Sequence, residues 1–385
     1  MSIRTRFGLP AAALLAGLTL IAPALAAPPP PQPGEGAGGV GDKAATIVKR
    51  GLGHAGAATF AFHKSGAAPQ EGRPVAVLLP AWGAPNPQGY GAWIDHLARN
   101  GWLVLVPRVQ EVNRTRPSDA SGNAQRLVKS ALAELSSDPE AKPDPGRLAL
   151  IGHLAGAPLA ANLAANASAE GLPAPRLIFA VMPGGIASNP KSRGIPLADL
   201  DAIPAATLLV TVIGDRDARA ADAAARRILR AATKVAPDRK LFVRALSDDH
   251  GFPALTATLT SPAGVDPAYD GDAIKLAPEP KDLPKDQRPP PFKWSPDMAL
   301  SGEQTTLVAQ IKTARADSLD YHAYWRTFDL AAAAAFGGRD AQSLKSDPRF
   351  SDMQRWGDGW PVKRLSVEVP RPATPTATGT MAPRR

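Results

Sequence analysis

The stretch Leu-Ala-Leu-Ile-Gly-His-Leu-Ala-Gly-Ala-Pro-Leu-Ala-Ala-Asn-Leu at positions 148–163 decides the fold of this chain. A short apolar run passes through a turn bracketed by Gly152 and Gly156 into an alanine-rich segment typical of a helix. Small residues around a sharp strand-to-helix turn are typical of a nucleophile elbow, which presents one side chain above a sheet. The usual pattern Gly-x-Ser-x-Gly has a serine at its centre, whereas Leu154 stands there in this chain. The stretch therefore predicts the turn without the atom that would attack a substrate.

Apolar runs of strand length recur on both sides of this stretch. Continuous apolar runs are typical of strands that are covered on both faces, and their alternation with helical segments indicates a mostly parallel sheet. Helices are predicted around 93–97, after the elbow and over 218–232. The predicted strands are 58–62, 74–80, 102–106, 148–151, 176–182, 207–213 and 241–246. We therefore expect a central sheet flanked by helices on both faces, with chemistry at the carboxyl ends of its strands.

Polar residues follow two of the later strands. The strand 207–213 leads into Gly-Asp-Arg-Asp at 214–217, and the strand 241–246 leads into Ser-Asp-Asp-His-Gly-Phe at 247–252. In chain order this gives elbow, acid and histidine, which is the order used by α/β-hydrolases. From about residue 74 to residue 252 the chain resembles a secreted α/β-hydrolase of the esterase and dienelactone-hydrolase kind. The resemblance implies an α/β-hydrolase fold.

The resemblance also implies a set of site residues. It assigns the catalytic histidine to His250 and the acid to Asp217, with Asp215 as the less favoured choice. Asp217 could equally cap the helix that follows it, because aspartate is favoured at that position. The oxyanion hole would use the backbone amides of Ala155 and Trp82, and Leu154 would occupy the position of the nucleophile.

Leucine has no nucleophilic atom, so ordinary serine-esterase chemistry is not expected. Loss of the nucleophile from a triad lowers turnover by roughly a million-fold. Three alternatives remain open: His250 and Asp217 could activate a water for slow ester hydrolysis, Ser247 could supply a substitute nucleophile, or the scaffold could bind a small apolar ligand without catalysis. The pocket for such a ligand would be lined by Leu154, Trp82 and Phe252. An envelope-associated adaptor is a further class, supported only by the basic charge and a proline-rich segment.

Composition divides the chain into six parts. Arg4 and Arg6, an apolar stretch and Ala24-Leu25-Ala26 predict a signal peptide over 1–26, and hence export to the periplasm or the extracellular medium. The other parts are a flexible Pro/Gly-rich leader (27–45), the hydrolase core (46–260), a proline-rich excursion or lid (261–300), a C-terminal helical part of the same domain (301–369) and a disordered tail (370–385). Within the C-terminal part a single helix face is predicted from Leu307, Ile311, Ala314, Ser318, Tyr321, Trp325 and Phe328.

Charge and residue usage limit the partners. The formal net charge is +9, spread along the chain without a basic stripe interleaved with aromatics, so no nucleic-acid partner is expected. The chain has no cysteine, and its six histidines show no metal-ligand spacing, so neither a metal nor a cofactor is expected. After removal of the signal peptide no apolar run is long enough to span a membrane. The expected partner is a small-molecule ester or apolar ligand, and the sequence leaves the oligomeric state open.

Overall fold

The computed structural model describes residues 27–111, 113–189, 191–216, 219–278, 293–300 and 304–370. Its centre is a nine-stranded sheet. The strands are β1 (Ile47–His54), β2 (Ala57–Lys64), β3 (Arg73–Leu79), β4 (Leu103–Pro107), β5 (Pro143–His153), β6 (Leu177–Val181), β7 (Leu208–Ile213), β8 (Lys240–Arg244) and β9 (Ser366–Glu368). The α-helices are α1 (Gly91–Arg99), α2 (Ala120–Leu135), α3 (Gly156–Asn166), α4 (Arg219–Ala231), α5 (Gln304–Ile311), α6 (Arg326–Phe336), α7 (Ala341–Ser346) and α8 (Pro348–Ser351).

The strand order is β1-β2-β4-β3-β5-β6-β7-β8-β9. Strands β3 to β8 pair in parallel, whereas β1, β2 and β9 pair antiparallel to their neighbours. The connection from β3 to β4 runs one way along the sheet, and those from β4 to β5, β5 to β6 and β7 to β8 run the other way. Because such crossovers are right-handed, α1 lies on one face and α2, α3 and α4 lie on the other.

The sheet is buried on both faces because its strands are apolar throughout. Every residue of β4, β6 and β7 is buried, and so is nearly every residue of α3. On the opposite face Trp93 of α1 and Phe328 of α6 both contact Phe179 of β6, with rings edge to face. This arrangement confirms the predicted mostly parallel sheet with helices on both faces.

All seven predicted strands are present, with ends shifted by a few residues except at β5, which begins several residues earlier than expected. Two edge strands and helix α2 were not predicted, and the short helices α7 and α8 were predicted only as part of a helical C-terminal region. Strands β1 and β9 have half-exposed residues and lack the long apolar runs of the central strands. Helix α2 buries one face only, against the sheet and α3, and its polar residues interrupt the apolar pattern.

The prediction of one continuous helix face over 307–328 is wrong. Helix α5 ends at Ile311, and a second helical segment begins with a π-helical turn (Asp320–Trp325) that continues into α6. The helix is interrupted between these two segments. There the Ala314 carbonyl accepts a hydrogen bond from the Val265 amide and not from a residue of a following helical turn. The Asp317 carboxylate accepts a hydrogen bond from the Leu319 amide, which starts the second segment.

The expectation of a flexible leader over 27–45 is also not what the structure shows. This segment packs along the folded domain, and its carbonyl groups accept hydrogen bonds from distant residues. The Phe252 amide donates to the Ala27 carbonyl, and the Gly357 amide donates to the Pro28 carbonyl. Consecutive prolines fix φ and leave their carbonyls without internal partners, so the segment can be ordered at a small entropic cost.

The other predicted parts have different outcomes. The first half of the proline-rich segment 261–300 packs in short 3-10 turns (Pro267–Tyr269 and Gly271–Ala273), whereas 279–292 lies outside the described residues. The signal peptide (1–26) and nearly all of the tail (370–385) also lie outside them. In the described part of the chain no helix is both long and apolar enough to cross a bilayer.

Candidate active site at the elbow

The turn between β5 and α3 has the backbone of a nucleophile elbow. Leu154 has φ of 51°, in the left-handed region that residues with a side chain adopt rarely. Its amide donates to the Val181 carbonyl at 3.1 Å, and its carbonyl accepts from the Gly184 amide at 3.1 Å. These bonds tie the turn to the end of β6, so the elbow predicted from the sequence is present with Leu154 at its tip.

The two glycines of the turn are required by close backbone approach. A Cβ atom on Gly152 would lie 2.2 Å from the Gly156 carbonyl oxygen, and a Cβ atom on Gly156 would lie 1.9 Å from the Leu79 carbonyl oxygen. Both distances are far shorter than a non-bonded contact allows, so any side chain would push the helix away from the sheet. The glycine bracket in the sequence therefore marks the turn for a physical reason.

A buried hydrogen-bond chain joins the elbow to the loop after β3. The Tyr90 hydroxyl accepts from the Ala81 amide at 3.0 Å and lies 2.7 Å from His153 Nδ1. His153 Nε2 lies 2.7 Å from the Leu259 carbonyl oxygen, which can only accept. Nε2 therefore carries the proton, and Nδ1 accepts from the Tyr90 hydroxyl. Burial lowers the pKa of His153 to about 4 and raises the pKa of Tyr90.

The same loop holds the second predicted oxyanion amide. Gln110 holds the two residues on either side of Trp82. Its Oε1 accepts from the Gly83 amide at 2.9 Å, and its Nε2 donates to the Ala81 carbonyl at 3.1 Å. In the loops and turns of the described chain, neither the Trp82 amide nor the Ala155 amide donates to a backbone acceptor. An oxyanion hole requires amides that are free to donate, and the assignment of Trp82 and Ala155 to one stays a prediction.

Sequence reasoning missed the three side chains that hold this arrangement. Tyr90, Gln110 and His153 are all buried polar residues at the carboxyl end of the sheet. His153 stands next to Leu154 in the elbow motif, and its position there was the one available signal. Tyr90 and Gln110 had no such signal, because their partners are 9 or more residues away along the chain.

Apolar side chains cover the elbow. The exposed fractions of Leu154 and Trp82 are only 8% and 6%. A Cβ atom on Gly83 would lie 2.7 Å from a methyl group of Val308 in α5, and one on Gly185 would lie 3.0 Å from a methyl group of Leu300. The ends of β3 and β5 are therefore covered by apolar side chains, and Leu154 adds to this apolar surface.

His250 lies in a turn with a different set of partners. The turn is closed by two hydrogen bonds between the main chains of Asp248 and Leu255, both at 2.8 Å. His250 Nε2 lies 2.7 Å from the Asp358 carboxylate, and the imidazole stacks on Trp360 with 5.3 Å between ring centres. The structure thus pairs His250 with a carboxylate that the sequence did not suggest.

Of the two predicted acids, Asp215 pairs with Ser247 and not with His250 in the described residues. Asp215 accepts from the Ser247 hydroxyl at 2.5 Å and from the Ser247 amide at 3.0 Å. These bonds occupy the Ser247 hydroxyl, which also accepts from the Ala257 amide at 3.0 Å, and they argue against a nucleophilic role for it. Asp217 lies outside the described residues, so its pairing with His250 stays a prediction.

After β8 the chain returns to the elbow through a segment that follows the His250 turn. The Ala257 carbonyl accepts from the Arg216 amide beyond β7, and the Leu259 carbonyl lies against His153 at the end of β5. The segment that crosses the carboxyl edge of the sheet back to the elbow strand is therefore 257–259. It contains Ala257, Thr258 and Leu259, and none of these residues can act as a general base.

The sheet order and the elbow define the class of protein: this chain has the α/β-hydrolase fold. The strand order reverses between β3 and β5, and the elbow and the Trp82 loop lie at the carboxyl ends of those two strands, where such folds bind ligands. No cluster of three or more histidine, aspartate or glutamate side chains suited to a metal ion occurs in the described ranges.

Comparison with known proteins gives likenesses in structure alone. No model of a protein family matches the chain, and no curated protein matches it in sequence. Structural neighbours are MGS-M1, an α/β hydrolase from a Medee basin deep-sea metagenome library (19% identity, TM-score 0.38), and carboxyl esterase 2 from the mycorrhizal fungus Tuber melanosporum (12% identity, TM-score 0.39). They cover 52% and 54% of this chain and 81% and 79% of their own.

A third neighbour is a protein of Klebsiella pneumoniae with the provisional name dienelactone hydrolase (14% identity, TM-score 0.38). It covers 53% of this chain and 85% of its own. These identities and TM-scores are low, so the fold assignment rests on the sheet order and the elbow of this chain.

Proposed function

We propose that this protein is an α/β-hydrolase-fold protein that does not hydrolyse esters. The observation that carries the proposal is Leu154 at the tip of the elbow, where φ of 51° presents a hydrocarbon side chain in place of a nucleophile. Without a nucleophile no acyl-enzyme can form, and the two unpaired amides have no tetrahedral intermediate to stabilise. The scaffold has the elbow turn of a hydrolase and lacks the reacting atom at its tip.

The surroundings of His250 support the same proposal. A general base must lie within hydrogen-bond reach of the proton that it removes. His250 Nε2 is engaged by Asp358, and Trp360 covers one face of its ring. Only Nδ1 of His250 is then left to activate a water, and the ring lies beside the C-terminal segment that carries Asp358 and Trp360, whereas the segment that returns to the elbow is 257–259. This arrangement counts against the slow esterase that uses water.

The proposal is tested by hydrolysis of 4-nitrophenyl acetate at pH 7.5. We expect the wild-type protein and His250→Ala to give the same rate, equal to that of an unrelated protein of similar histidine content. A wild-type rate well above that background, lost in His250→Ala, would show that the protein is an esterase and would overturn the proposal.

We further propose that the chain is exported and that the mature protein begins at Ala27. Support comes from the sequence over 1–26, where Arg4 and Arg6, an apolar stretch and Ala24-Leu25-Ala26 follow the order of a cleavable signal, and cleavage there would keep the hydrogen bonds of the Ala27 and Pro28 carbonyls. A chain that begins at Ala27 keeps these contacts. Mass spectrometry of protein recovered from the periplasm or medium of an expressing bacterium should give an N-terminus at Ala27. Recovery of full-length protein only in the cytoplasm would contradict the proposal.

A further inference from the structure

A groove lies between the N-terminal segment and the C-terminal helices. Its volume is about 770 Å³, within the range of small-molecule sites. One wall is formed by residues 30–37. The other wall is formed by His322, Arg326, Arg349, Asp352, Gln354 and Arg355. We refer to it as the Arg326 groove.

Arg326 is a buried cation that forms no salt bridge in the described residues, although Asp352 of the same groove raises its pKa from beyond salt-bridge distance. Its exposed fraction is 5%, and no carboxylate of the described residues lies within ion-pair distance of its guanidinium. Its one side-chain hydrogen bond joins Nη2 to His322 Nδ1. Nε is enclosed and makes no hydrogen bond, and Nη1 has no partner in the described part of the chain.

His322 does not compensate this charge. Its Nε2 donates to the Pro31 carbonyl at 3.0 Å, so Nδ1 is the acceptor for Arg326 and the imidazole is neutral. Burial, together with the neighbouring guanidinium, lowers the pKa of His322 to about 4. Burial also lowers the pKa of Arg326, as expected for a cation that has lost its water shell.

A second buried arginine has hydrogen-bond acceptors for its guanidinium. Arg73, with 1% of its surface exposed, donates to three carbonyl oxygens, those of Glu140, Lys64 and Gly66, at 2.6 to 3.0 Å. Arg326 has no such set of acceptors. An unpaired buried charge costs several kcal/mol, so its retention on a groove wall calls for an external partner.

The charged groups around Arg326 favour an anion. Arg349 and Arg355 line the same groove, and one guanidinium nitrogen of Arg355 donates to the Gly359 carbonyl at 2.8 Å. Two carboxylates, Glu35 and Asp352, line it as well. Asp352 accepts from the Gln354 amide and side chain at 3.3 and 2.8 Å rather than from a guanidinium. Arg349 is paired with Asp347, so in the described residues Arg326 and Arg355 are the groove cations that form no ion pair, and they are the donors that an oxyanion would meet.

We propose that the Arg326 groove binds a small oxyanion, a phosphate or carboxylate group that supplies the acceptor missing from the guanidinium of Arg326. Guanidinium groups present planar donors that match both oxyanions, and such charge-assisted hydrogen bonds are stronger than neutral ones. Arg355, which forms no ion pair in the described residues, provides further positive charge around the bound group. This site is separate from the elbow and does not depend on the proposed loss of ester hydrolysis.

The test is titration of the full chain with sodium phosphate and with sodium succinate, each followed by calorimetry and by thermal unfolding. Sodium chloride at matched ionic strength is the reference. We expect phosphate or succinate to bind saturably and to raise the unfolding temperature more than chloride does. Arg326→Gln should weaken this binding roughly ten-fold or more, because it removes a charged hydrogen-bond donor.

Two further variants make the test decisive. Arg244→Gln is the matched control, because Arg244 on β8 is paired with Asp222 of α4 and lies outside the groove. This variant should bind the anion as the wild type does. Arg355→Gln changes the surface of the groove and should weaken binding several-fold even if Arg326→Gln fails to fold. Equal effects of all three salts on the wild type, or wild-type binding in every folded groove variant, would overturn the proposal.

Discussion

At the scale of single residues, Leu154 shows what the sequence could predict and what it could not. A residue with a side chain held at positive φ costs about 1 kcal/mol or more, and Gly152 and Gly156 impose that conformation here. The glycine bracket made the elbow predictable. The link from His153 to Tyr90 was not predictable, because the two residues are 63 positions apart and only the folded sheet brings them together.

Tyr90→Phe tests this link. The variant removes a hydroxyl that pairs with the Ala81 amide and His153 Nδ1, so two buried polar groups lose their partner. We expect the free energy of unfolding to fall by about 2 to 4 kcal/mol, measured by urea denaturation at pH 7.5. Tyr321→Phe is the control, because its hydroxyl makes only one 3.5 Å contact, and it should change the stability by less than about 1 kcal/mol. Similar losses in the two variants would contradict the account.

The buried histidines predict a pH dependence of stability. His322 has a pKa of about 4 in the folded protein, whereas an exposed imidazole has its pKa near 6.5. Between those values the unfolded chain binds a proton that the folded protein does not, so stability falls as the pH falls. From pH 7 to pH 5 each such histidine should cost about 2 kcal/mol.

The contribution of His322 is isolated by comparison with His322→Gln. Glutamine cannot titrate and can still donate to the Pro31 carbonyl. Urea denaturation at pH 7 and pH 5 should show a loss of stability about 2 kcal/mol smaller in the variant than in the wild type. Equal losses in both proteins would mean that His322 keeps an ordinary pKa in the folded state.

At the scale of elements, the N-terminal segment differs most from the structure that its composition predicts. Its prolines and glycines predict a flexible leader, yet the Ser318 hydroxyl donates to the Pro30 carbonyl and His322 Nε2 donates to the Pro31 carbonyl. Farther along, the Gly38 amide donates to a carboxylate oxygen of Asp329 at 2.8 Å, and the same oxygen lies 3.0 Å from His96 Nε2. The distant partners, Ser318, His322, Asp329 and His96, lie more than 50 positions from the segment, so local composition could not reveal them.

Truncation tests whether this segment is structural. A chain that begins at Pro33 lacks the four carbonyls that bind Phe252, Gly357, Ser318 and His322. At about 1 kcal/mol for each hydrogen bond, we expect the free energy of unfolding to fall by roughly 3 to 4 kcal/mol compared with a chain that begins at Ala27. Chemical denaturation of both chains measures the difference. Equal stability would restore the original expectation of a flexible leader.

At the scale of the whole molecule, the sequence predicted the central strands and the elbow because those features are local. Apolar runs identify β2 to β8, and the glycine bracket identifies the turn before α3. The path of the chain after β8 is not local. Its turn at Asp248 and Leu255 places His250 beside Asp358 and Trp360, while 257–259 returns to the elbow. The chain order of elbow, acid and histidine was therefore not enough to place the imidazole.

The most direct test of the central claim is the activity of Leu154→Ser compared with the double variant Leu154→Ser, His250→Ala. The serine would stand at the tip of the elbow, but the segment that returns to the elbow is 257–259, which contains no general base, and His250 lies beside Asp358 and Trp360. The account predicts that both variants hydrolyse 4-nitrophenyl acetate no faster than the wild type. Turnover in Leu154→Ser that disappears in the double variant would contradict it, because His250 would then reach the elbow as a working base.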